Sequence, residues 1–175
     1  MKRHLTILTL LFGVLSAHAS DTVGELLSQL SRTQEESDRV LIIMHDLWNL
    51  DDSRIEKEFM KRLSPQPTEE AYYVAQYLAK KGNTIALEIL NKNYFMYPIS
   101  SWQWSFTVRE FGRHKYAPAI PNLIESLNAA SLNVVDEAYL ALRVFFPDSP
   151  TNFRSLEEMK TYFEKRRHGA RDVAK

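Results

Sequence analysis

Cysteine is absent from the 175 residues, and glycine and histidine are scarce at five each. Without cysteine there is no disulfide framework, thiol nucleophile, thiolate metal ligand or lipid attachment at a lipobox-type cysteine. The glycines form no phosphate-cradling loop and no G-x-S-x-G elbow, and no S-x-x-K of the penicillin-binding pattern occurs. Beyond the first twenty residues the histidines are His45, His114 and His168. None has a partner at metal-ligand spacing, so no metal site and no cofactor is expected. Charge of one sign is not in excess either, with 22 basic and 22 acidic residues. A bulk attraction to nucleic acid or anionic lipid is not indicated, and neither is expected as a partner.

The one long apolar run is Leu5 to Leu15, preceded by Lys2 and Arg3 and followed by Ala17-His18-Ala19. A positive start, a short apolar stretch and a small-x-small site describe a cleaved signal peptide over 1–19. A membrane span needs about 20 apolar residues, more than this run provides. The expected mature chain, 20–175, is a single domain, slightly acidic, exported to a periplasm or secreted, with no membrane insertion. At 156 residues it is long enough to bury roughly 70% of its unfolded surface, so it can fold without disulfides.

What is present is helical punctuation. Acidic doublets (Glu35-Glu36, Asp51-Asp52, Glu69-Glu70, Asp136-Glu137, Glu157-Glu158) follow capping residues or breaks. Basic clusters (Lys61-Arg62, Lys80-Lys81, Arg113 to Lys115, Lys165 to His168) precede breaks. That order suits the helix dipole, acids first and bases last. Thr33 with Glu36, Ser100 with Gln103 and Ser155 with Glu158 have capping-box spacing. Gly82 and Gly169 stand where left-handed C-terminal residues belong. These signals predict helices over 22–31, 34–49, 53–63, 68–81, 84–95, 101–112, 117–129, 133–146 and 155–168, all-α, joined by short connections.

The pattern also repeats. The segment from Ala75 to Gly82 aligns with Ser105 to Gly112, Ile85 to Leu90 aligns with Ala119 to Ile124, and Ser105 and Val108 align with Ala138 and Ala141. Offsets of 30 to 34 residues point to an array of helix pairs. Ala119-Ile120-Pro121-Asn122-Leu123-Ile124-Glu125-Ser126-Leu127, then Val134 to Leu142, resembles a HEAT-like repeat of the PBS-lyase type, with Val135 where that family carries arginine. The resemblance implies a short right-handed α-solenoid of antiparallel pairs. It further implies that 68–81, 101–112 and 133–146 line a concave face, with Ala71, Ala75, Leu78, Ser105, Val108, Ala138, Ala141 and Leu142 in the core.

In that frame, residues off the core fall into rows: Tyr73, Gln103 and Asp136; Gln76, Phe106 and Tyr139; Tyr77, Thr107 and Leu140; Lys80, Glu110 and Arg143. Aromatic anchors mixed with amides and both charge signs suit recognition of a protein. The expected partner-binding set is Tyr73, Gln76, Tyr77, Trp102, Gln103, Phe106, Glu110, Tyr139 and Arg143. The aromatic crowd from Tyr94 to Phe106 either packs between repeats, as expected for Phe95 and Trp104, or forms a sugar-stacking platform or binding hot spot. No catalytic residue is expected. The leading expectation is a non-enzymatic interaction module for a protein partner. An immunity or inhibitor protein acting on a toxin or cell-wall hydrolase is a narrower version. An envelope glycan- or peptide-acting enzyme, with Glu110 as its acid, is the alternative class, and a self-associating structural protein a third.

Overall fold

The computed structural model describes residues 22–33, 38–50, 52–97 and 99–172, with the side chains of Asp38, Trp102 and 168–172 outside that set. The expected signal peptide and the Glu35-Glu36 doublet lie outside the described residues. Every regular element described is a helix, and no strand occurs among those residues. No helix among them is long and apolar enough to cross a membrane.

Contacts divide the chain into two compact units, Met1–Arg62 and Leu63–Lys175. In the first, α1 covers 22–32, α2 Asp38–Trp48 and α3 Ser53–Arg62. Val23, Leu30, Val40, Ile43, Met44, Leu47, Ile55 and Phe59 are buried, at the three- and four-residue spacings of one helical face. Asp52 opens α3 by accepting the Arg54 backbone N–H at 2.8 Å, and the Arg54 guanidinium returns to the same carboxylate at 2.7 Å. Those bonds hold the Asp52 pKa down to about 2. Near the end of α3, Arg62 donates to the Leu30 carbonyl at 2.9 Å, tying α3 to α1.

The second unit holds α4 (Glu69–Lys80), α5 (Thr84–Lys92), α6 (Ser101–Arg113), a 3-10 turn (Ala117–Ala119), α7 (Ile120–Ser126), α8 (Leu132–Phe145) and α9 (Leu156–Asp172). Thr68 Oγ1 caps α4 through Ala71 N–H at 3.2 Å, and Asn83 Oδ1 caps α5 through Ala86 N–H at 3.0 Å. At α6, Gln103 Oε1 accepts the Ser100 backbone N–H at 2.8 Å, the return bond of a capping box. At α9, Ser155 Oγ accepts Glu158 N–H at 3.1 Å.

Several boundaries differ from the sequence expectation. The stretch 117–129 is broken because Pro118 and Pro121 have no N–H to donate, so its first turn tightens to 3-10 and α7 is short. Helix α5 stops at Lys92 rather than 95, as Asn93 becomes its cap. Helix α8 begins after Ser131, two residues before Asn133. Gly169 does not end a helix: α9 runs through it to Asp172.

The ends of α4 and α6 share one design. Gly82 (φ +84°) donates to Ala79 O at 2.8 Å and Asn83 N–H reaches Leu78 O at 3.0 Å. Lys115 (φ +49°) donates to Gly112 O at 3.1 Å and Tyr116 N–H reaches Phe111 O at 2.9 Å. Both are Schellman closures, 33 residues apart. Gly82 therefore matches Lys115, and not Gly112 as the sequence alignment has it. Gly112 lies inside α6 for a different reason: a Cβ there would stand 2.8 Å from Ala141 Cα and Cβ.

Helix α6 packs most extensively on α8 and also touches α4; α4 packs on α5, and α7 on α8 and α9. Side-chain hydrogen bonds and an ion pair join residues 27 to 35 apart, linking each element to the next but one. All eight residues expected in the core are buried.

Candidate functional site

The expected site residues lie on α4, α6 and α8, and burial sorts them into two groups. Gln76, Tyr77, Gln103 and Glu110 are buried, at 2%, 1%, 7% and 6% exposure, and do not belong to an exposed surface. Tyr73, Phe106, Tyr139 and Arg143 are half-buried, each with part of its side chain open to solvent. For Trp102, whose side chain lies outside the described set, only the helical backbone of α6 is placed.

The buried group has structural work. Tyr72 donates its hydroxyl to the Gln103 carbonyl at 2.6 Å. Thr107 donates to Gln76 Oε1 at 2.9 Å and lies 3.3 Å from the Tyr72 hydroxyl. Gln103 Nε2 donates to the Tyr73 hydroxyl at 3.2 Å, linking two members of one expected row. This knot joins α4 to α6, and burial pushes the Tyr72 phenol well above its ordinary pKa. Gln76 and Gln103 are inside because each meets a partner there, which makes burial of an amide tolerable. Sequence reasoning missed Tyr72, and it set Thr107 in a row off the core with Tyr77 and Leu140, whereas Thr107 is buried.

Glu110 is drawn inward with its carboxylate 3.4 Å from His114 Nε2 and 3.8 Å from Arg113 Nη1. These are i,i+4 and i,i+3 neighbours in the last turns of α6, where cations favour the negative helix end. Among the described residues no group of three His, Asp or Glu side chains is placed to hold a metal ion.

The half-buried group is spread over α4, α6 and α8, and α6 contacts both of the other helices. On α4, Tyr73 stands beside exposed Glu69, and its pKa is raised by partial burial and then by Glu69. On α6, the Arg109 guanidinium lies 5.2 Å from the Phe106 ring centroid and its Nε donates to Glu137 on α8 at 3.1 Å. That bond raises the Arg109 pKa. On α8, Arg143 lies 5.8 Å from the Tyr139 ring, whose hydroxyl donates to the Pro150 carbonyl at 2.8 Å. Tyr139 also meets Phe153 and Phe163 edge-on or tilted, which fixes its ring. These side chains therefore present ring faces and edges with guanidinium groups above them.

The aromatic stretch splits. Tyr94 and Tyr97 are buried, and Tyr94 stacks obliquely on Trp104 at 5.5 Å while its hydroxyl meets Ser126 Oγ at 2.8 Å. Phe95, expected in the junction between repeats, is 50% exposed beside Met96 at 62%. It touches Trp104 edge-on at 5.8 Å, so only part of its ring is packed. No family model, curated protein or solved structure matches the chain.

Proposed function

We propose that this chain is an exported, non-enzymatic interaction protein, a short HEAT-like α-solenoid that holds a protein partner on the open strip of α4, α6 and α8. The spacing of the bonds between helices, 27 to 35 residues, supports the solenoid reading, because a helix-pair array brings equivalent positions of neighbouring pairs together. The matched closures after α4 and α6 support it as well. The signal-like segment ahead of the described residues supports export.

The observation that carries the binding reading is the strip itself: Tyr73, Phe106, Tyr139 and Arg143 are half-open on three helices that contact one another in order. Rings pre-fixed by neighbours lose little entropy on binding, and arginine over a ring offers both stacking and hydrogen bonds. The partner-facing set is accordingly Tyr73, Phe106, Tyr139 and Arg143, with Gln76, Tyr77, Gln103 and Glu110 supporting it from below. Affinity purification from an envelope extract identifies the partner. Tyr73→Ala, Phe106→Ala and Tyr139→Ala are then each expected to weaken its binding at least tenfold with helicity unchanged. Unaltered affinity in all three would reject the surface.

A further inference from the structure

We infer that the outer face of α8 is a self-complementary surface that pairs two copies of this chain, antiparallel, about Leu140. The face carries three exposed apolar side chains, Leu132 (72%), Leu140 (55%) and Val144 (44%). Scattered leucines on a surface are ordinary, but these share one side of one helix, opposite the buried Val134, Ala138, Ala141 and Leu142. Two charges flank Leu140 on the same side, Asp136 one turn before it and Arg143 one turn after. Neither takes part in an ion pair among the described residues, although Arg109 and Glu137 beside them are paired with each other.

That arrangement is what a two-fold interface needs, since each patch must complement itself. Antiparallel crossing at Leu140 sets the two Leu140 side chains against each other. It places Asp136 of each copy opposite Arg143 of the other, so the pair is made twice. Leu132 then reaches the exposed Pro147 at the far end of its counterpart. A parallel crossing would set Asp136 against Asp136 and Arg143 against Arg143, which is repulsive. The charges thus select the antiparallel form, and the leucines supply the apolar centre. One helix face is smaller than the roughly 800 Å² per partner of a standard interface, so the dimer is weak. Arg143 and its neighbour Tyr139 also belong to the proposed partner strip, so a bound protein and a second copy exclude each other.

Sedimentation equilibrium of the purified chain over a concentration series tests this. The expected result is a monomer–dimer equilibrium weakened at least tenfold by Leu140→Glu. Asp136→Arg alone and Arg143→Asp alone each weaken it, and the double exchange restores it to within about threefold, because both trans pairs are then reversed. Circular dichroism of each variant confirms that the helices persist. A wild-type chain that stays monomeric to several hundred micromolar overturns the inference, as does a dimer indifferent to Leu140→Glu or not restored by the double exchange. Tyr73→Ala lies off this face and leaves the dimer intact, so its effect on partner binding reports on the proposed function separately.

Discussion

Gly112 on α6 and Ala141 on α8 meet so closely that a methyl group at Gly112 would stand 2.8 Å from both Cα and Cβ of Ala141. Helix axes can approach this far only where one side has no side chain, and this contact lies in the most extensive helix pair of the second unit. Gly112→Ala gains about 1 kcal/mol of helix propensity but must push the helices apart, at a cost of about 1–3 kcal/mol or more. The net expectation is destabilisation by up to about 2 kcal/mol or more, measured by urea unfolding. Adding Ala141→Gly will not rescue it, because the backbone Cα remains in the way.

The bridge from Thr107 to Gln76 gives a second expectation. Thr107→Val keeps the shape and removes the hydroxyl that donates to Gln76 Oε1, a buried acceptor. Leaving such a group unpaired costs about 1–3 kcal/mol. Thr107→Ser retains the hydroxyl and is expected to recover most of that loss in the same denaturation experiment.

Alkaline pH should destabilise the second unit through its buried tyrosines, beginning where an exposed tyrosine would titrate. Burial raises the Tyr94 pKa to about 12 and the Tyr72 pKa further in the same direction. An unfolded tyrosine titrates near 10, so the folded state favours the neutral phenol. The stabilisation is fully present below about pH 10 and is lost as pH rises through about 12. For Tyr94 it amounts to about 2–3 kcal/mol at most. Tyrosinate absorbance and helical circular dichroism followed together should show late ionisation coincident with unfolding. Tyr94→Phe is expected to move the transition to higher pH.

Asn91 and Asn122 couple α5 to α7, since Asn122 Nδ2 reaches both the carbonyl and the side-chain oxygen of Asn91 at 2.8 Å. Asn91 Nδ2 in turn lies 3.3 Å from the Pro118 carbonyl. A double-mutant cycle with alanine at both sites should return a coupling of about 1 kcal/mol. A value near zero would show that the amides are bystanders.

Helices were readable because caps and charges act locally: Ser100 with Gln103 and Ser155 with Glu158 open α6 and α9 where their capping-box spacing puts them. The core was readable for the same reason, as small and branched apolar residues recur at helical spacing wherever helices pack, and all eight residues expected inside are buried. Two features were not. Gly82 and Gly112 look alike in sequence, yet one supplies a left-handed turn and the other a close contact, a distinction set by the neighbouring helix. Gln76, Tyr77, Gln103 and Glu110 read as surface because periodicity presumes one covered face. On α4 and α6 more than one face is covered, and polar side chains there meet partners some thirty residues away.

With no native cysteine, paired cysteines can report neighbouring positions without background. Arg109→Cys with Glu137→Cys, and Asn91→Cys with Asn122→Cys, place thiols 28 and 31 residues apart, on α6 and α8 and at the α5–α7 junction. Treatment of dilute protein with a short bismaleimide, followed by intact mass and peptide mapping, should show an intramolecular bridge in both pairs. Bridging in neither, with both cysteines reactive singly, would contradict the stacking of helix pairs on which the face and its partners depend.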